Sequence, residues 1–211
     1  MSAAVQTTAA AYVSAAFGFS LLFCGVSLFV NWRLSEGRLR LVAGEAALLA
    51  VLVFLLAVLC EAGVNPLYEA LFGHKLWEYR LLPLHDRNVS ALGAIVWTSY
   101  GLHLYFLDQT LDRRIAAGPW RDLVKAAFIG VEAPLVWEVL GNTYFLLTVG
   151  EYYAYYLPGD VFHLTSLQVV PVYAVCVYAG LQVHARVRRH HHCWSLPLAG
   201  AGAGLIFLMT G

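Results

Sequence analysis

Two acids, Glu132 and Glu138, stand inside the otherwise apolar run KAAFIGVEAPLVWEVLGNTYFLL, with Asn142 one turn beyond Glu138. A carboxylate at the centre of a bilayer costs at least about 2.5–3.5 kcal/mol on insertion scales, so such residues face a bundle interior and usually carry function. At about 100° per residue the two acids lie about 120° apart, sharing a sector rather than a stripe. Glu138 and Asn142, at i and i+4, share a face. No Lys or Arg lies deep in any other apolar run. Burial without a cation favours the neutral acid, the form needed by a general acid or a proton-coupled site. A hydrogen-bonded clamp between helices is the alternative reading. Pro134 frees backbone carbonyls near Glu132, or simply kinks the helix. A second apolar run holds Trp97, Ser99, Tyr100 and His103. Glu138 is therefore read as proton donor, Glu132 as base or second acid, and Asn142 as their neighbour. Trp97, Trp137, Tyr100, His103 and Tyr144 are read as substrate contacts, the aromatic faces stabilising cationic charge.

Other candidates read more simply. A haem would want a second His facing His103 at matching depth, and neither His163 nor His184 clearly matches. Cys24, Cys60, Cys176 and Cys193 are scattered, without the C-x-x-C spacing of a metal or redox site. No metal and no cofactor is expected. The tract from Arg188 to Cys193, with three histidines, reads as a topology anchor. Gly200 and Gly204 have the G-x-x-x-G spacing of close helix packing. Asn88-Val-Ser90 fits a glycosylation sequon that abuts the membrane. Glu61 and Glu69 read as hydrated, and Glu45 as snorkelling.

The elements that must hold these residues are membrane helices. Of 211 residues 60% are hydrophobic and 12% charged, against about 45–50% and about 25% in soluble domains. Net charge is zero, so nucleic acid is not an expected partner. The N-terminus lacks the positive region of a cleavable leader. Runs long enough to span fall at 11–32, 41–60, 89–108, 123–148, 164–185 and 194–211, giving one all-α, polytopic bundle over residues 1–211. The first, third and fifth links, with Lys125, carry all but three of the 13 Lys and Arg residues. Basic links face the cytoplasm, so both termini are expected outside, in a bacterial cytoplasmic membrane. Residues 66–82 are expected to lie flat on the outer surface as a short helix, with Tyr68, Phe72 and Tyr79 on its apolar face. Residues 151–163 add an aromatic, acidic rim. No internal repeat is evident.

Residues 61–101 resemble the CmpB-type ABC-transporter membrane proteins. The resemblance runs through Glu61 and Glu69, Leu71-Phe72, Trp77-Glu78-Tyr79, and then Trp97 and Gly101. It departs at Pro83-Leu84-His85-Asp86-Arg87, where that family has an Asn and a Gly-Arg pair. What it implies is a polytopic membrane protein. Trp137-Glu138 and Leu140-Gly141-Asn142-Thr143-Tyr144 are also similar to small lipid enzymes of the sterol-isomerase and membrane terpene-cyclase types, which place carboxylates among aromatics inside a helical bundle.

Three functions follow. The first is an enzyme, an isomerase or cyclase, doing acid–base chemistry on an isoprenoid or sterol-like substrate. The second is a transporter or permease component coupling protons or cations to the carboxylates, and the third a structural subunit of a membrane complex. The expected partner is a membrane lipid or lipid-soluble molecule, with a homo-oligomer or membrane partner left open. Reporter fusions after Arg40, Arg114 and Arg189 should report cytoplasm and one after Asp160 should not. An inner Asp160 would refute the topology.

Overall fold

A computed structural model describes residues 3–190 and 195–210; His191, His192 and Cys193 of the basic tract lie outside them. The chain runs α1 (Ala3–Leu34), α2 (Ala43–Phe72), β1 (Trp77–Tyr79), β2 (Pro83–Leu84), β3 (Val89–Ser90) and α3 (Gly93–Arg114). It continues with α4 (Arg121–Glu132), a π-helical turn (Ala133–Glu138), α5 (Val139–Val149), β4 (Ala154–Tyr156), α6 (Val170–His190) and α7 (Ser195–Met209). The architecture is all-α with small strands at one end. Three helical stretches, Thr8–Leu34, Ala43–Phe72 and Leu167–Arg188, are long and apolar enough to cross a membrane. Leu21, Phe29, Leu59, Val175 and Ile206 point outward from their helices, as lipid-facing side chains do.

α3 packs against α1 and α2, while α6 packs against α4 and α7 against α2. Small residues set these approaches. A Cβ at Gly101 would meet Ala50 Cα at 2.5 Å, and one at Gly130 would meet Ala174 Cα at 2.8 Å. Gly200 and Gly204 of the G-x-x-x-G spacing admit Val51, Leu55 and Phe54 of α2. α4, the π turn and α5 follow one another without a break, and the π turn runs from Ala133 to Glu138 with Pro134 in its first positions. That is where a proline withholds an N–H from the ladder.

The flat helix expected over 66–82 is not formed. α2 continues through Pro66 to Phe72, and Gly73 then stops it in the left-handed conformation (φ 77°), its N–H returning to the Glu69 carbonyl. Past it the chain turns extended, and β1 pairs antiparallel with β4, Trp77 opposite Tyr156 and Tyr79 opposite Ala154. The two-residue period of a strand turns Trp77 and Tyr79 inward together; a helix would have splayed them.

A local correspondence that the sequence reading did not find links residues 61–97 with 138–173, at an offset of 77 residues through the helix end and strand. Gly150 ends α5 as Gly73 ends α2, at φ 75° and with its N–H returning to the Leu146 carbonyl. The Arg80 N–H donates to the Tyr153 carbonyl, and its counterpart, the Leu157 N–H, donates to the Leu76 carbonyl. Left-handed backbone recurs too: Leu82 (φ 43°) matches Gly159 (φ 62°), and Asp86 and Arg87 (φ 54° and 62°) match Phe162 and His163 (φ 53° and 61°). The sheet lies where the two segments meet, one strand from each.

Gly101→Val should destabilise the bundle by about 1–3 kcal/mol, the scale of overpacking. Thermal melting in detergent reads the loss. Gly25→Ala, whose new methyl would meet nothing within 4 Å, should melt with the parent.

Candidate functional site

The correspondence positions two carboxylates. On α2, Glu61 is followed one turn later by Asn65; at the end of the π turn, Glu138 is followed one turn later by Asn142. Each Asn reads the backbone of the strand that follows. Asn65 accepts from the Leu76 N–H (2.8 Å) and donates to the Trp77 carbonyl (2.8 Å). Asn142 accepts from the Ala154 N–H (3.0 Å) and donates to the Leu164 carbonyl (2.6 Å). The clamped strand brings a tyrosine back over the acid 18 residues behind it. Tyr79 donates to Glu61, and Tyr156 donates to Glu138 Oε1 at 2.5 Å. Burial, and then the neighbouring carboxylate, hold the phenols of Tyr79 and Tyr156 well above the usual range. Both therefore stay protonated at neutral pH and donate. The next helix of each segment adds an aromatic donor. Trp97 Nε1 of α3 reaches Glu61 Oε1 at 2.9 Å, and the Tyr173 hydroxyl of α6 donates to Glu138 Oε1. Thr165 completes the second set at Glu138 Oε2, 2.5 Å away. Glu61 Oε1 takes both of its donors, and Oε2 is buried without a partner among the described residues.

Both acids line one cleft between α2, α3, α4 and α6, holding about 1070 Å³ of empty space counting its open side. Trp97, Tyr100, Tyr156 and Tyr173 share the end where Glu61 and Glu138 stand. The rest of the wall is aliphatic, Leu52, Val53, Leu56, Val172 and Leu181 among it, down to Asp108 and His184. A smaller cavity of about 340 Å³ lies behind Trp97, Glu138 and Tyr156, and Asn142 and Trp137 line it. The wall of the main cleft is apolar along most of its length, with two acids among aromatic faces at one end.

The residues singled out in the sequence divide accordingly. Glu138, Trp97 and Tyr100 are brought together on the cleft. Asn142 holds β4 and Leu164 rather than Glu138. Glu132 sits in a separate polar chain: Tyr100 donates to its Oε2 (2.9 Å), and its Oε1 lies 3.3 Å from His103 Nε2 without hydrogen-bond alignment. His103 Nδ1 in turn pairs with Ser27 Oγ at 2.7 Å. Trp137 is buried against Phe19, Phe23 and Tyr100, with ring centroids 4.4–4.9 Å apart. Tyr144 packs on Phe19 at the α1–α5 contact, its hydroxyl over Gly18, away from the cleft.

Glu61 was read as hydrated and is instead 6% exposed. The reason is that α2 runs three turns past it and the strands fold back over it. Glu69 is exposed, and Glu45 pairs with Arg188 at 3.3 Å. Asn88 of the sequon is buried, its Oδ1 accepting from Asn65. The missed signal was the recurrence of Glu-x-x-x-Asn with a Tyr 18 residues after the Glu. No family model, curated protein or solved structure matches the chain.

Asn142→Leu should leave the Ala154 N–H and the Leu164 carbonyl unpaired, costing about 1–3 kcal/mol per stranded group. Asn65→Leu should cost a similar amount in the other segment. Melting curves of the two single variants test the equivalence; a silent Asn142→Leu would show that the strand holds without its clamp.

Proposed function

We propose that this chain is an integral membrane enzyme that moves a proton on a lipid-soluble alkene of isoprenoid or sterol-like class, Glu138 and Glu61 acting as the acid–base pair. One observation carries the reading: two acids with matching donor sets, one of them with a buried oxygen unpartnered, face a single apolar cleft among aromatic rings. In the forward step Glu138, in its acid form, gives its proton to one carbon of the double bond. The positive charge that develops on the neighbouring carbon lies against Trp97, Tyr100 and Tyr173, whose ring faces stabilise it. Glu61 then removes a proton from the adjacent carbon through its free Oε2, and the double bond has migrated. No electron is transferred and no co-reactant is consumed. Tyr79 and Tyr156 hold the two carboxyl groups in place. The second acid of the pair is thus assigned to Glu61 rather than Glu132, because Glu132 is turned toward His103.

In this reading α1, α2, α3, α4 with α5, α6 and α7 are six crossings of the bacterial cytoplasmic membrane. The stranded end lies outside, consistent with the alternation of basic links. Proton- or cation-coupled transport is a second reading, favoured by the acids at both ends of the cleft, Glu61 and Glu138 at one and Asp108 at the other.

The test is solvent-deuterium uptake into unsaturated isoprenoid and sterol lipids incubated with the purified protein in D2O, read by mass spectrometry. Glu138→Gln and Glu61→Gln each keep size and hydrogen bonding but remove the transferable proton. Each should lose about two to four decades of exchange, the scale of one acid–base group, while melting close to the parent. Glu138→Ala should also melt lower, leaving the hydroxyls of Tyr156, Thr165 and Tyr173 without their acceptor. Full exchange in both Gln variants would make the carboxylates structural clamps. Proton flux in liposomes without lipid exchange would favour transport.

A further inference from the structure

The cysteines that look scattered in the sequence are not scattered in space. Cys60 of α2 and Cys176 of α6 bring their sulfurs to 3.0 Å of one another across 116 residues of chain. Both are free thiols, partly exposed, and both line the cleft. Cys60 immediately precedes Glu61, and Cys176 lies one turn after Tyr173, so the pair sits beside the acid end of the cleft. α2 and α6 are opposite walls there, and one turn further along they come close again, where a Cβ on Gly180 would lie 3.2 Å from Leu56.

We propose that Cys60 and Cys176 form an oxidisable dithiol, a modification site whose disulfide ties α2 to α6 and narrows the cleft beside its carboxylates. A disulfide bond is about 2.05 Å long, so closing it asks the sulfurs to approach by about 1 Å. The oxidant is a hydroperoxide, and the aliphatic walls admit one carried in lipid. One thiolate attacks the peroxide O–O bond, becoming a sulfenic acid and releasing an alcohol. The second thiol then attacks that sulfur, forming the S–S bond and releasing water. Two electrons pass from the two sulfurs to the peroxide oxygens, and the thiol protons leave in the alcohol and the water. A dithiol reductant reverses the bond by exchange. Cys24 is a built-in comparison. Its thiol donates to the Ser99 carbonyl at 3.4 Å, and it has no cysteine neighbour among the described residues.

The gating half of this inference rests on the cleft being the ligand site, and the experiment separates the two. The full chain in detergent is treated with cumene hydroperoxide, then with a dithiol reductant. Alkylation and peptide mass spectrometry are read alongside binding of N,N-dimethyldodecylamine, a tailed amine that mimics a cationic intermediate. Expected are a cross-linked peptide pair from α2 and α6, loss of alkylation at Cys60 and Cys176 but not at Cys24, and amine binding weakened about tenfold or more. Reductant should restore all three, and Cys60→Ser and Cys176→Ser should each abolish the response to peroxide. Both thiols remaining alkylatable, or oxidation running on to sulfinic acid without a cross-link, would overturn the dithiol. A cross-link with undiminished amine binding would overturn the gate. An amine that ignores the reduced protein counts against the cleft as a cation site, and the cross-linked peptides then decide the dithiol alone.

Discussion

Two asparagine side chains hold this structure's polar centre together. In lipid every backbone donor and acceptor must find a partner inside the protein, at a cost of several kcal/mol for each that fails. Short strands beside apolar helices are a hazard on the same grounds, since two or three residues of ladder leave most groups open. Asn65 and Asn142 reduce the hazard from the helix before each strand: Asn65 serves the Leu76 N–H and the Trp77 carbonyl, Asn142 the Ala154 N–H and, beyond the strand, the Leu164 carbonyl. The strands can then be brief, and brevity lets them turn a tyrosine back over the helix they left. Remove the amide and the tyrosine no longer has a fixed approach to its acid.

The same geometry explains why the acids are tolerated. Among the described residues Glu61 and Glu138 have no Lys or Arg paired with them, yet each receives an O–H and a further donor from its own segment. Hydroxyl and indole donors satisfy a carboxyl group without a counter-charge. The buried lysines among the described residues are spent elsewhere, Lys125 2.6 Å from Asp108 and in contact with Asp112, Lys75 2.6 Å from Asp86. The two segments are not identical. The second begins at the end of the π turn at Ala133–Glu138 and carries an additional donor in Thr165, so the two acids meet the cleft with different numbers of free oxygens.

Much of the helical frame was legible because lipid-facing helices advertise themselves by length and apolarity, as α1, α2 and α6 do. Glu138 was legible for the same reason, an acid in a greasy run. Glu61 was not, because composition places it at the end of an apolar segment, and only the strand folding back makes that end an interior. The strands themselves were hidden by aromatic content that a surface helix would share; what distinguishes them is that Trp77 and Tyr79 are two apart. The correspondence escaped because the matching residues, Glu, Asn, Gly and Tyr, are few and separated by stretches free to drift. The structure-derived pairings, not overall similarity, align them.

The ownership of the donors has a bearing on how the chain is made. Glu61 is served by residues 79 and 97, and Glu138 by residues 156, 165 and 173. Neither acid waits for the other half of the protein. The donors of Glu61 precede Glu138 in the chain, so the hydrogen bonds of Glu61 can form before the second acid and its donors are synthesised. The β1–β4 pairing needs both halves present, and so do the packing of α2 on α6 and α7 and the Tyr100–Glu132 hydrogen bond. Assembly of the finished cleft is in this sense a docking of two prefabricated pieces within one polypeptide.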